Sequence, residues 1–403
     1  SSIWGARAGN GVIVITTKQG KYEQKPTLSF TSNYTVGAKP DAFYQPLMST
    51  SDFIDNEIRL FDAGIYKPGE LNQRILNYPL TPLVELLIKK RDNPALASEI
   101  DARIAQWRNY DVRNDYETYL YRKLKNQQYA LNLSGGSERQ RYVLSLGYDK
   151  NLNSEVGNGL ERVTINANNT YNFFDKRLEL ITGIYYTNNK TDNNFIGIPT
   201  YTNFSGTTGS TMYPYAQFAD ANGNHLSLVN NVRTGYAEAG TAKGLLDWNY
   251  RPLDEIVNSD KTTKSIDYRL NTGLNYKILD GLKASLLYQY GRTNSNTAGL
   301  NNQKSYFARN LINYYSEITA SNTVKRPIPL GGILDKNDVI INVHNFRAQL
   351  NYDHTFAEKH EVNALAGYEI RDQHTTGFRT RLYGYDDEHA TSQLVNYVDK
   401  FPT

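Results

Sequence analysis

The residue types that most often carry chemistry are sparse and scattered in this sequence. No two of its six histidines stand at the HExxH spacing of a zinc protease, and it contains neither a GxSxG motif nor a cysteine. His354 or His374 could serve in a serine–histidine pair, but no serine is marked as the partner. A solvated histidine in a loop or at a strand end is the more common case. We therefore predict no catalytic residue, no metal ligand set, no cofactor and no enzymatic activity.

Two acidic segments have residue types that bind cations. Residues 220–224 have the opening spacing of a calcium loop, yet His225 stands where the sixth position needs glycine and Asn231 where the twelfth needs glutamate. Residues 386–389 read Asp-Asp-Glu-His, without a recognised ligand spacing. We interpret the first segment as a β-turn and the second as a solvated loop.

A glycine cluster near the start of the chain resembles a phosphate-binding loop. Its members are Gly5, Gly9 and Gly11. A phosphate loop needs a following helix, because the amides of the helix N-terminus hold the anion. Residues 12–17 read Val-Ile-Val-Ile-Thr-Thr, which is typical of a strand. Phosphate binding is therefore not predicted.

The composition sets wider limits on function. The 403 residues carry a net charge of only +3, with 44 basic against 41 acidic residues, so no nucleic-acid partner is indicated. The longest apolar runs, at residues 12–15 and 86–88, are far too short for a membrane-spanning helix. A transmembrane barrel needs only every second residue to be apolar. The 32 tyrosines suit strands and membrane interfaces.

The clearest structural pattern is a hairpin over residues 264–292. Apolar residues and tyrosines occupy nearly every second position over 266–278, and the alternation restarts after Asp-Gly at 280–281, with Leu287 as an exception. Strict alternation predicts strands, and Asp-Gly predicts a tight turn between them. Each strand is as long as the roughly 9–11 residues that cross a bilayer at a tilt. The hairpin predicts an all-β fold, namely part of an antiparallel transmembrane β-barrel.

Similar alternation recurs along the chain, and the connections alternate in length. The predicted strands cover 27–37, 129–134, 141–148, 162–173, 177–187, 266–278, 282–292, 346–356 and 362–371, with a candidate tenth over 377–385. Every second connection is a short turn, whereas the long segments lie near 38–127, 190–262, 297–338 and 373–403. Outer-membrane barrels have short periplasmic turns and long extracellular loops. The alternation therefore predicts that these long segments are extracellular.

The start of the chain also carries a family motif. The run Trp4-Gly5-Ala6-Arg7-Ala8-Gly9-Asn10-Gly11, followed by Val-Ile-Val-Ile-Thr-Thr-Lys, closely resembles the end of the plug domain in SusC/RagA-type TonB-dependent transporters. Trp4 replaces the family's usual tyrosine and Gly9 its usual alanine. The runs at 131–137 and 144–148 are similar to the family's second and third strands.

This resemblance implies a domain organisation and a function. Residues 1–21 would end the plug domain, and residues 22–403 would form the first part, about nine strands, of a roughly 22-stranded barrel surrounded by membrane lipid. The resemblance implies import of an oligosaccharide or a peptide across the outer membrane of a Gram-negative, Bacteroidota-like bacterium. The partners it implies are a SusD-like surface lipoprotein and TonB, which would contact a segment outside this chain. It implies no cofactor.

Four aromatic residues in the predicted extracellular segments are candidates for substrate contact. They are Trp107, Tyr110, Trp248 and Tyr250. Their rings could stack on a sugar or a peptide, or hold the loops together. The polar strand faces would line the lumen, through Asp267, Arg269, Lys277, Arg347, Asp353, Glu369 and Arg371.

Nine strands make an open sheet, which is costly in hydrocarbon. Each unpaired backbone group at an edge costs several kcal/mol there. We therefore expect strands outside this chain to close the barrel. The sequence starts at Ser1 without a methionine or a signal peptide, so either both were removed or the gene product begins earlier.

Three alternatives stay open at this point. The first is a passive porin, or a barrel that anchors a surface complex without energy coupling. The second is a soluble or adhesive β-protein, and the third is an outer-membrane hydrolase.

Overall fold

The structure is a computed structural model that describes residues 19–71, 78–356, 359–396 and 398. The predicted plug-end motif, with Trp4, Gly5, Ala6, Arg7, Asn10 and Gly11, lies outside the described residues. Within them, no helix is both long and apolar enough to cross a membrane.

One antiparallel sheet of ten strands dominates the fold, and every strand pairs with its neighbour along the chain. The strands are β1 (Thr27–Val36), β2 (Lys125–Gly136), β3 (Gln140–Leu152), β4 (Asn158–Phe173), β5 (Leu178–Asn193), β6 (Ser259–Leu279), β7 (Leu282–Asn301), β8 (Gly332–Phe356), β9 (His360–Asp386) and β10 (Thr391–Gln393). The predicted all-β, antiparallel fold is confirmed.

The predicted tenth strand was wrong in its position. Residues 377–385 continue β9, which pairs with β8 from His360 opposite Phe356 as far as Tyr385 opposite Gly332. The tenth strand is the short β10, which pairs with the far end of β9. Pairing of β9 persists beyond residue 371 although the apolar alternation stops there, because backbone hydrogen bonds do not require an apolar face.

The two faces of the sheet differ sharply in polarity. On β6, the apolar residues Ile266, Leu270, Leu274, Tyr276 and Ile278 are 38–45% exposed. Their neighbours on the other face join polar groups across strands, for example along the row Asn271, Gln289 and Asn345, with hydrogen bonds of 2.9 and 2.8 Å. Among the described residues, Ile333 and Leu334 alone are buried apolar side chains of the ten-stranded sheet. The sheet is therefore not half of a dry sandwich.

Tyrosines mark the two edges of the apolar face. Tyr186 pairs with Tyr268 at one level, where Tyr290 lies beside Tyr268 with ring centroids 6.1 Å apart. Tyr276 and Tyr352 lie near the opposite ends of their strands. Tyr268 and Tyr276 are eight residue steps apart, about 26 Å along the strand at about 3.3 Å per residue. For a strand tilted by about 40° this is a height of about 20 Å, which is close to an apolar band about 25 Å tall with aromatic girdles on both sides.

The connections at the two ends of the sheet differ in length. At one end the described turns comprise residues 137–139, 174–177 and 280–281. At the other end the connections comprise the described parts of residues 37–124, 153–157, 194–258, 302–331 and 387–390. Strands β7, β8 and β9 extend further towards this second end than the apolar pattern predicts, with lengths of 20, 25 and 27 residues. These tall strands form a wall beyond the tyrosines.

The long connections contain the helices of the fold. These are α1 (Thr50–Asp62), α2 (Lys67–Leu71), α3 (Pro82–Asp92), α4 (Ala97–Trp107), α5 (Val112–Asp115), α6 (Thr234–Ala242), α7 (Pro252–Asn258) and α8 (Tyr306–Tyr315). Side-chain oxygens cap several of them: Ser49 caps α1, Thr81 caps α3 and Ser305 caps α8. We call the described parts of residues 38–124, 194–258 and 302–331 the loop module.

The hydrophobic core of the described chain lies in the loop module rather than against the sheet. Fully buried side chains from the first two long connections, such as Ile54, Leu83 and Phe218, form one cluster. Tyr306 adds the third connection to it. The long connections are therefore packed together as one body with its own core.

Replacing Leu270 by arginine is expected to destabilise the protein in lipid by about 1–3 kcal/mol, because the guanidinium would lie in hydrocarbon between the edge and the middle of the apolar band. The matched change Asn271→Arg, on the polar face of the same strand, is expected to cost much less. Denaturant unfolding of the full-length protein in lipid vesicles measures both losses. Equal losses would contradict the assignment of the two faces.

Candidate functional site

A large cavity separates the tall strands from the loop module. Its volume is about 970 Å³, and strands β6 to β9 line it with side chains of the polar face. We call it the trough and define it by Lys261, Thr263, Thr297, Gly299, Asp335, Asn337, Arg379 and Arg381. Its size and its polar lining make it the candidate site for a ligand.

Strand register places the trough residues in two rows. The first row runs Lys261, Gly299, Asp335 and Arg381, and each member lies directly opposite the next on the adjacent strand. The second row lies two residues nearer the apolar band and runs Thr263, Thr297, Asn337 and Arg379. Successive strands lie about 4.8 Å apart, so each row spans roughly 14 Å across the wall.

Hydrogen bonds fix several of these side chains. The Arg381 guanidinium donates from Nε and Nη2 to the two carboxylate oxygens of Asp335, at 2.6 and 2.7 Å. Arg379 Nε donates to Asn337 Oδ1 at 2.8 Å, and the Thr263 and Thr297 hydroxyls are 3.0 Å apart. Bidentate Arg–carboxylate pairs hold both side chains in a defined geometry. The trough is therefore a preformed polar surface.

The loop module supplies the opposite side of the trough. Phe195, Ile196, Tyr250 and Glu255 face it from the second long connection. Glu255 is buried, and one of its carboxylate oxygens accepts the Tyr306 backbone N–H at 2.7 Å. Burial raises the pKa of the Glu255 carboxyl. This side is mainly apolar, so the charges of the trough are concentrated on the strands.

The four predicted aromatic contacts lie within or beside the loop-module core. Trp107 stacks on Tyr215, with ring centroids 5.0 Å apart and planes at 8°. Trp248 is buried, and its indole N–H donates to Asn310 Oδ1 at 2.8 Å. The Tyr110 carbonyl accepts the Thr50 hydroxyl at 2.6 Å. These contacts stabilise the loops.

Tyr250 differs from the other three predicted residues in its position. It is buried against Tyr306, and it borders both the trough and a smaller cavity of about 210 Å³ inside the loop module. Trp248 lines this smaller cavity as well. Ligand contact by Trp107, Tyr110, Trp248 and Tyr250 stays a prediction.

The comparisons with known proteins find a curated relative and solved structures of similar fold. No protein-family model matches the chain. A curated relative, TonB-dependent receptor P3 of Formosa agariphila, is 24% identical over 329 residues, which are 79% of this chain and 27% of that protein. The solved RagAB peptide transporter aligns with a TM-score of 0.66 at 16% identity, over 99% of this chain and 40% of that chain. The RagAB peptide importer in its open-open state gives a TM-score of 0.65.

The chain resembles the SusC/RagA-type TonB-dependent transporters, in sequence through the curated receptor and in fold through RagAB. It spans 27% of its curated relative and 40% of the aligned RagAB chain. The fold is accordingly part of a transmembrane β-barrel of this type, as the sequence predicts.

The sequence alone did not identify the trough. Asp335 falls in a segment that was predicted as a long loop, and Arg379 and Arg381 fall in the candidate tenth strand within the last predicted loop; all three lie on paired strands. The predicted lumenal residues lie lower on the same polar face; for example, Asp267 accepts the Thr293 hydroxyl at 2.6 Å and lies 3.2 Å from Arg269. The alternation of Arg379 and Arg381 with Thr380 and Leu382 is a short signal that a strand continues here.

In each of the two acidic segments considered from the sequence, an aspartate carboxylate contacts other residues of the same segment. One carboxylate oxygen of Asp220 accepts the backbone N–H groups of Asn222 and Asn224, at 2.9 Å each. The Asp386 carboxylate lies 2.8 Å from His389 Nδ1. In the part of the chain that the structure describes, no group of three or more His, Cys, Asp or Glu side chains is arranged to hold a metal.

A buried carboxylate joins three segments of the loop module. Glu57 of α1 is 4% exposed, and its two oxygens accept the Thr81 hydroxyl at 2.8 Å and the Tyr215 hydroxyl at 2.9 Å. Thr81 is also the cap of α3. Burial raises the pKa of Glu57 to about 7, because desolvation penalises the charged form more than these two hydrogen bonds favour it.

We expect the stability of the loop module to fall as pH rises from about 4.5 to about 7. In this window Glu57 is ionised in the unfolded loop and protonated in the folded one, so folding loses up to about 3 kcal/mol as the folded carboxyl titrates. Glu57→Gln should remove this slope, because the amide has no charge to desolvate. Hydrogen exchange of the loop module, corrected for intrinsic rates, measures the effect.

The control is Asp62→Asn, at an exposed position of the same helix. This variant should keep the pH slope of the unchanged protein. A slope that survives in Glu57→Gln would show that another group causes it.

Proposed function

We propose that this chain is part of a TonB-dependent importer that moves an oligosaccharide or a peptide across the outer membrane of a Gram-negative, Bacteroidota-like bacterium. The observation that carries this proposal is the division of one sheet into an exposed apolar band and a polar face that continues beyond the band into the trough. Such a sheet presents lipid with one surface and water with the other. The similarity to a TonB-dependent receptor and to RagAB supports an importer.

In this proposal the trough is where the ligand first contacts the barrel wall. It lies beyond the upper tyrosines and beside the loop module, so a ligand could reach it from outside the cell. A SusD-like surface lipoprotein would cover the ligand, and TonB would pull on a plug segment that precedes the described residues. No covalent step is needed for transport.

Residues 20–26 precede β1 and contact the turn between β2 and β3. These contacts support a junction between plug and barrel at this point of the chain. Gly136 N–H donates to the Gln24 carbonyl at 2.9 Å, and Glu23 N–H donates to the Ser137 carbonyl at 3.1 Å. A Cβ on Gly20 would meet the Tyr142 carbonyl oxygen at 2.6 Å, so only glycine fits this approach. The chain is thereby fixed to the β2–β3 turn before β1 begins.

The second candidate is a passive porin or an anchor for a surface complex. The same apolar band and polar face would suit it, since neither feature requires energy coupling. The curated relative is named as a TonB-dependent receptor, which favours the energised importer.

Energy dependence of uptake is the test of this proposal. Cells that express the full-length protein with its lipoprotein partner should take up a ligand only while the proton gradient and TonB are intact. An uncoupler and a tonB deletion should each reduce uptake to the level of cells that lack the transporter. Surface binding at 4 °C, which needs no energy, should remain and serves as the control.

Uptake that continues after both treatments would favour the passive alternative. In that case the purified protein should also conduct ions steadily in a planar bilayer.

A further inference from the structure

We propose that the trough binds an anionic group of the imported ligand between Lys261 and Arg379, above the bare backbone of Gly299. This inference rests on the proposed function, because it names the chemical class of ligand that the importer would select. The anionic group is a carboxylate, a sulfate or a phosphate.

The first observation is the balance of charges on the strand side of the trough. Its polar face carries three cations, Lys261, Arg379 and Arg381, and a single anion, Asp335. Asp335 already forms a bidentate pair with Arg381. Among the described residues, no carboxylate lies within 4.0 Å of the Lys261 or Arg379 cationic groups in an ion pair. Two positive charges are therefore left for a ligand.

The nearby carboxylates on other elements do not neutralise these charges. Glu255 is buried, and it accepts the backbone N–H of Tyr306. Asp260 lies beside Lys261 in sequence, so its side chain points to the opposite face of β6. It accepts hydrogen bonds from Asn194 Nδ2 at 3.1 Å and from the Thr262 hydroxyl at 3.0 Å. Both carboxylates thus have other partners.

The second observation is the space between the cations. Gly299 lies directly opposite both Lys261 and Asp335. A Cβ at Gly299 would have its nearest neighbours at 3.8 Å, on Lys261 Cγ, and at 4.0 Å, on the Asp335 carbonyl oxygen. A side chain would fit there without a clash, so the absence of one leaves an open floor. At about 4.8 Å between strands, Lys261 and the Asp335–Arg381 pair stand about 10 Å apart across this floor.

The third observation is the set of free donors around the floor. Arg379 uses only Nε in its hydrogen bond to Asn337, so its two terminal nitrogens can form a fork for a planar or tetrahedral anion. The Thr263 and Thr297 hydroxyls lie beside Lys261 in the second row and share one hydrogen bond of 3.0 Å, which leaves one of their two O–H groups to donate. An anion at this position would receive charge-assisted hydrogen bonds from two directions.

Two pairs of probes, matched in length, test this inference on the full-length transporter with its lipoprotein partner in detergent. The first pair is tetragalacturonate and maltotetraose, and the second is an Asp-Ala-Asp-Ala peptide and tetra-alanine. Titration calorimetry measures each affinity at 50 mM and 500 mM salt. The sugar and peptide pairs distinguish the two sources of the carboxylate.

In at least one pair we expect the anionic probe to bind about tenfold more tightly than its neutral counterpart at 50 mM salt. High salt should reduce this preference, since the charges are hydrated and screened. The double variant Lys261→Met and Arg379→Met should abolish the preference, so that the anionic probe and its neutral counterpart bind with similar affinities. Lys264→Met, on the opposite face of the same strand, should retain it.

The inference is overturned if neither pair shows a preference, or if the preference persists in the double variant. These outcomes are separate from the test of transport. Energised uptake without an anionic preference would support the proposed importer and contradict the anion site. An anionic preference that depends on Lys261 and Arg379, without energised uptake, would support the anion site and contradict the proposed importer.

Discussion

Backbone hydrogen bonding in lipid is the constraint on which this structure depends. Strands β2 to β8 pair on both sides, so their backbone groups are satisfied without water. Among the described residues, β1 pairs with β2 alone, and β9 meets β10 only near its far end. Unpaired groups along those two edges would each cost several kcal/mol in hydrocarbon. Partial coverage of the RagAB chain agrees with a barrel in which further strands satisfy them.

This constraint also explains where the hydrophobic core is found. Inside the band, lipid solvates the apolar side chains, so the strands need no dry partner layer. The loop module lies beyond the ends of the apolar band and buries its own apolar residues. Ile54, Leu83 and Phe218 are therefore fully buried. Leu270 and Tyr276 are instead exposed, because no other part of the described protein covers them. The same residue types thus have opposite environments in the two parts of one chain.

The sequence predicts the fold where lipid imposes an alternating pattern and loses it where both faces are wet. The hairpin at 264–292 is recognisable because Leu and Tyr must alternate with polar residues. Its strands continue to Ser259 and Asn301, but residues 293–297 read Thr-Asn-Ser-Asn-Thr and carry no apolar period. The extension is recognisable only from pairing with the neighbouring strands. The amino-acid composition of a single strand does not predict that pairing.

The trough was missed for the same reason, and its residues show what kind of information is lacking. Lys261 and Arg379 are far apart in sequence and each lies in a polar stretch that resembles a loop. Register across four strands brings them onto one wall. The predicted aromatic candidates were recognised by residue type, but a type alone does not distinguish a core side chain such as Trp248 from a ligand contact.

The length of strands β6 to β9 beyond the apolar band determines where charged side chains can lie without an ion-pair partner. Lys261 lies seven residues beyond Tyr268 on β6, about 23 Å along the strand. Within the apolar band an unpaired cation on the lipid side would cost several kcal/mol, but at this height both faces are hydrated and the cost is small. A charge held there without a protein partner stays available to a ligand. Long strands therefore place a charged site outside the membrane while the same backbone ladder anchors it in the barrel.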